Sequence, residues 1–118
     1  MTKIAGLLLL AGAAFLPAAL AAEQVEGVLM DQACASDGLK DGQKGAISHT
    51  RDCALMEPCV KSGYGIVTAD GKYLKFDDTG NQKALALLKA SKKADSLFMK
   101  VTGSVSGDHI SVEAIELE

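Results

Sequence analysis

The chain has no tryptophan, two prolines, and only three phenylalanines and two tyrosines. Tyr64, Tyr73 and Phe76 fall on expected strands where single-stranded bases could stack, but they read better as packing. Positive charge is not in excess either: 12 Lys and Arg stand against 15 Asp and Glu, a formal net charge of −3 at pH 7. Binding a polyanion takes a basic groove, and these lysines are scattered along the chain, which argues against a nucleic-acid partner. There is no Cys-x-x-Cys pair, Gly-rich phosphate loop, Ser-centred nucleophile elbow or His-Glu-x-x-His helix. No catalytic constellation is therefore legible, and the chain reads as non-enzymatic.

What is present begins with a leader. Lys3, the apolar run "IAGLLLLAGAAFL" and Ala19-Leu20-Ala21 have the charge, length and small-residue end of a signal peptide over residues 1–21. The run is short for a membrane span, so no membrane association is expected after cleavage. The expectation is an exported protein, periplasmic or secreted, with residues 22–118 as a single small domain. A domain of that size buries a limited core, and a cross-link would help it. Export places its three cysteines, Cys34, Cys53 and Cys59, where disulfides persist, and an odd count leaves one sulfur over.

The mature stretch alternates strand and turn signals. "EQVEGVLMD" (23–31) has Val25, Gly27 and Leu29 on one face and Val28 and Met30 on the other. Residues 35–45, rich in Gly and Asp, read as a polar loop. A short helix is expected within 48–56, capped by Ser48 or Thr50 and stopped by Pro58. "GYGIVTA" and "KYLKFD" form a hairpin through Asp70-Gly71, a type I′ signal. In that hairpin Leu74 and Phe76 face inward and Tyr73 lies at the rim. Residues 80–93 have the apolar spacing of a helix, with Ala84, Leu85 and Leu88 on one face. Two further strands meet near 106–108, with Leu97, Met99, Val101, Ile110 and Val112 inward and a phase slip at Glu113-Ala114 that implies a bulge. The order is mainly β with two short helices: five strands with a helix between the third and fourth, as in an OB-fold, a small Greek-key barrel. The competing arrangement is a five-stranded α+β sheet.

The chemistry concentrates in "SHTRDCALMEPC" (48–59). If the helix runs on, His49, Cys53 and Glu57 share a face, with Met56 beside Cys53. Nitrogen, thiolate and thioether donors suit a soft metal, copper before zinc, and Cys34 could supply another sulfur beside Asp31. The metal-ligand candidates are thus His49, Cys53, Met56 and Cys34. Taken singly, Met56 is more often core and His49 more often a surface or capping residue. Two of Cys34, Cys53 and Cys59 are expected to form a structural disulfide, Cys34 with Cys53 or Cys59 before Cys53 with Cys59, worth about 3 kcal/mol. A glycine on each side of Tyr64 reads first as a bend into the second strand, and second as a way to lay Tyr64 over the site.

The segments "GVLMDQAC", "HTRDCALMEPCVKSGYG" and "DGKYLKFD" together resemble a group of small exported bacterial proteins. That group carries a Gly-x-x-x-Asp-x-x-Cys strand, a His-x-x-x-Cys segment with a further cysteine, and an OB-like remainder. The resemblance spans nearly all of residues 22–118 and implies fold and compartment, with no activity attached. Its signature positions here are Asp31, Cys34, His49, Cys53 and Cys59. The reading is a non-enzymatic exported domain with a Cys/His site for a soft metal. The alternative is a disulfide-stapled structural module that binds a protein partner and no metal.

Overall fold

The computed structural model describes residues 22–118, and the expected signal peptide over 1–21 lies outside the described residues. Five strands form one sheet: β1 (Glu23–Asp31), β2 (Tyr64–Val67), β3 (Tyr73–Phe76), β4 (Phe98–Ser106) and β5 (His109–Leu117). Their order is β1-β2-β3-β5-β4, and β4 pairs back with β1 to close a barrel. All pairings are antiparallel except the short β3–β5 contact at Lys75↔His109 and Phe76↔Ile110. β1 serves two neighbours in turn: Glu23 to Val28 lie against β4, and Val28 to Asp31 against β2. Its last residue therefore leaves the sheet beside the first residue of β2, Asp31 opposite Tyr64.

The alternation seen in β1 acquires two destinations. Leu29 enters the barrel core with Ile66, Leu74, Phe76, Leu97, Met99, Val101, Ile110 and Val112. Val28 and Met30 point outward, yet are buried with Val67 beneath Ala35 and Ala46. A strand with both faces covered needs a second layer, and the residues between β1 and β2 supply it. They form α1 (Gln32–Gly38), a single 3-10 turn (Leu39–Asp41), α2 (Gly42–Ile47), α3 (Arg51–Ala54) and α4 (Glu57–Ser62).

With α5 (Asp78–Ala90) between β3 and β4, the described residues hold five α-helices, so the domain is mixed α/β rather than mainly β with two helices. The stretch 35–45, expected as a loop, is mostly helical. Asp31 caps α1 by accepting from the Cys34 amide at 2.9 Å, and Ala35 gains burial that outweighs the weak helix propensity of its Gly and Asp neighbours. The expected helix over 48–56 is shorter. Thr50 is its cap, accepting from the Cys53 amide at 3.1 Å, and it ends at Ala54. Pro58 does not stop it; Pro58 lies in the first turn of α4, where its fixed φ suits a helix start and its missing N–H costs nothing.

The hairpin signal also resolves differently. Gly71 alone has positive φ, 83°, while its amide donates to the Thr68 carbonyl and the Thr68 amide to that of Lys72. A two-residue type I′ turn would need positive φ at both central residues, so this is the longer kind that ends on a left-handed glycine. The expected bulge is present: Thr102 pairs with Ala114 and Gly103 with Val112, leaving Glu113 as the extra residue. α5 begins two residues before Gly80, because the Asp77 carboxylate accepts from the Gly80 amide at 2.9 Å. The same oxygen accepts from the Val112 amide at 3.2 Å, tying α5 to β5.

Candidate metal centre

The site grows from the end of β1. Asp31 is fully buried and is the one buried polar or charged side chain among the described residues. As the cap of α1 it must turn its carboxylate back over the helix start, and Oδ2 accepts from the Cys34 amide at 2.9 Å. Oδ1 lies 2.7 Å from Nε2 of His49, whose side chain is only 9 % exposed. His49 arrives there from the loop after α2, where its own amide donates to the Ala46 carbonyl at 3.0 Å.

Cys34 sits in the first turn of α1, and Cys59 in the first turn of α4. Those two helices are laced together: the Gln32 amide donates to the Gly63 carbonyl at 2.8 Å, and the Ala33 amide to Ser62 Oγ at 3.1 Å. Gly63, with φ 84°, ends α4 in a conformation that L side chains rarely adopt, and a Cβ there would meet Asn81 Nδ2 at 2.9 Å. The result is that a carboxylate oxygen of Asp31, the Cys34 sulfur and the Cys59 sulfur all lie within 4.8 Å of one another. Both thiols thus lie beside the carboxylate and beside each other.

The electrostatics are those of a buried anion with two acids leaning on it. Burial by itself would raise the Asp31 carboxyl, but hydrogen bonds from His49, the Cys34 amide and the two thiols hold it at about 2. Burial first, then the neighbouring Asp31 charge and hydrogen bond, pushes the Cys34 thiol up to about 12. The same causes raise Cys59, which is 7 % exposed. Tyr64 borders the group: its hydroxyl donates to the Ala54 carbonyl at 2.7 Å, and burial followed by the charges of Asp31 and Cys59 raises it to about 12. The bend at Gly63 leads into β2, and the Tyr64 ring lies in the barrel core.

Of the candidate ligands read from the sequence, Cys34 is in the group, His49 touches it through Asp31 without belonging to it, and Cys53 and Met56 lie outside it. Cys53 is exposed and Met56 is 57 % exposed, which corrects the core reading of Met56. The helix-face argument fails because His49 precedes the Thr50 cap and Met56 caps the next helix, so no single helix carries His49, Cys53, Met56 and Glu57. The sequence marks Cys59 as a disulfide candidate and a signature position but not as a ligand, because Pro58 reads there as a stop. A proline at a helix start, putting Cys59 in the first turn, was the signal available. All three cysteines are free thiols in the structure.

Comparison with known proteins gives no match: neither a family model, nor a curated protein, nor a solved structure corresponds to this chain. Among the described residues no helix is long and apolar enough to cross a membrane.

Proposed function

We propose that this chain is a small exported, non-enzymatic binding domain of OB-fold type, and that it holds a thiophilic metal ion through Cys34, Cys59 and Asp31. The observation that carries the reading is the close group of two sulfurs and a carboxylate oxygen around a fully buried aspartate. Buried thiols beside a buried anion resist ionisation, and a metal ion supplies the positive charge that favours it as it replaces their protons. The OB assignment rests on the closed β1-β2-β3-β5-β4 order with α5 between β3 and β4.

The donor set favours zinc over copper. The sequence points to copper because of the Met56 thioether, which is exposed; two sulfurs and a carboxylate, with an imidazole on that carboxylate, suit zinc. His49 serves as the group that orients the Asp31 oxygen, or swings from that 2.7 Å contact to complete the coordination itself.

A titration of zinc against a chromophoric chelator, on reduced protein, tests this. Cys34→Ser and Cys59→Ser should each abolish measurable binding, and His49→Ala should weaken it at least about tenfold. Cys53→Ser and Met56→Leu should bind as the wild type does. Equal affinity for the wild type and Cys34→Ser would sink the proposal.

A further inference from the structure

The two sulfurs of the group are close to each other as well as to Asp31, and this gives them a second chemistry. The Cys34 and Cys59 sulfurs lie within 4.8 Å of each other, and each lies near the start of a helix of two turns or less. The ends of those helices are tied to one another, so the backbone already holds the pair together. Cys34 is half-buried and open to a small reagent, Cys59 is buried behind it, and Cys53 is exposed outside the group. The arrangement has an entry thiol and a resolving thiol, with the odd cysteine set apart.

We propose that Cys34 and Cys59 close into a disulfide when met by a disulfide-bearing oxidant, and that this bond and the metal ion exclude one another, making the site redox-gated. The step is thiol–disulfide exchange. Cys34, after giving up its proton, attacks one sulfur of the oxidant through Sγ, forming a mixed disulfide and releasing the first reagent thiol. Cys59 Sγ then attacks Cys34 Sγ, the mixed bond breaks, and the second reagent thiol leaves. The oxidant gains two electrons from the pair, and the two cysteine protons depart on the two reagent thiols. The oxidised site has lost both sulfur donors and keeps only Asp31 and His49, too few to hold zinc. Conversely, zinc occupies both sulfurs and blocks the first attack.

The gating half rests on the metal reading above, so the experiment separates the two. Full-length protein carrying Cys53→Ser, with no thiol outside the pair, is treated with oxidised glutathione with and without zinc. It is then denatured, alkylated without reductant and weighed, and zinc binding is measured before oxidation, after it, and after re-reduction. The expected result is two labels falling to none without zinc, oxidation at least about tenfold slower with zinc, and zinc binding lost on oxidation and restored by a reductant. Two labels persisting after oxidation, or two glutathione adducts, would overturn the proposal. So would equal zinc binding by the oxidised and reduced forms, which would leave the metal reading standing. A reduced protein that binds no zinc would overturn the metal reading and the gating with it, whatever the labels show.

Discussion

At the scale of single residues, the fate of Asp31 decides what the site can be. A carboxylate with no solvent contact is costly unless hydrogen-bonded, and this one is satisfied by an imidazole and an amide, with two thiols beside it. Because its folded pKa of about 2 lies below the ordinary 3.8, it stabilises the fold above about pH 4, and that contribution is lost as pH falls toward about 2. The loss amounts to about 2 kcal/mol. Denaturant unfolding across that range should show it in the wild type, and Asp31→Asn should be less stable at neutral pH and nearly flat below. The thiols work in the opposite sense. Folded Cys34 titrates near 12, above its ordinary 9.0, so its protonated form stabilises the fold below about pH 9, and that contribution fades toward about pH 12. Zinc must displace both thiol protons. Its apparent affinity should therefore climb with pH, by up to about a hundredfold per unit below the thiol values, which chelator competition at several pH values would read. A slope of one proton per ion would mean that a single thiolate binds.

At the scale of elements, side-chain caps set the boundaries that position the site. Asp31, Thr50 and Asp77 each accept from the amide three residues on, and each begins a helix where composition alone is ambiguous. These were readable as residue types, and Thr50 was read. Asp77 was not, because Gly80 inside the first turn suggested a later start. Asp77 also reaches the Val112 amide, so it joins two elements. Asp77→Ala should cost about 2 kcal/mol, more than an ordinary cap, because it orphans two amides. Thermal or denaturant unfolding would check this; a cost below about 0.5 kcal/mol would mean that water replaces the carboxylate. The bulge at Glu113 was legible because apolar alternation slips by one residue there, a local signal that the β4–β5 pairing preserves. The turn at Gly71 was placed correctly but mistyped, since Asp-Gly is compatible with more than one loop length.

At the scale of the whole molecule, two cores divide the work. The barrel interior, with Leu29, Ile66, Leu97, Met99 and Val101 fully buried, carries the stability. The outer cluster of Val28, Met30, Ala35, Ala46 and Val67 carries the placement of α1 and α2, and with them of Cys34 and of His49 in the loop that follows. Val28→Ala, at a fully buried site under that layer, should loosen residues 32–62 while β4 and β5 remain paired. Amide exchange should then speed up in that segment well before the barrel, and zinc affinity should fall although no ligand has changed. Uniform acceleration over the whole domain would show instead that the two cores unfold as one.

The amino-acid sequence by itself determined what depends on near neighbours: the alternation that gives each strand its buried residues, the order of five strands with a helix after the third, and the slip that makes the bulge. It also placed Asp31, Cys34 and His49 among the residues worth watching. Only the tertiary structure decided that Cys59, and not Cys53, meets Cys34. Helical phase carries information only along an unbroken helix, and the segment from His49 to Cys59 breaks between Ala54 and Glu57. Beyond that break, the burial of Val28 and Met30 beneath the helical layer, together with the ties between α1 and α4, sets which sulfurs meet.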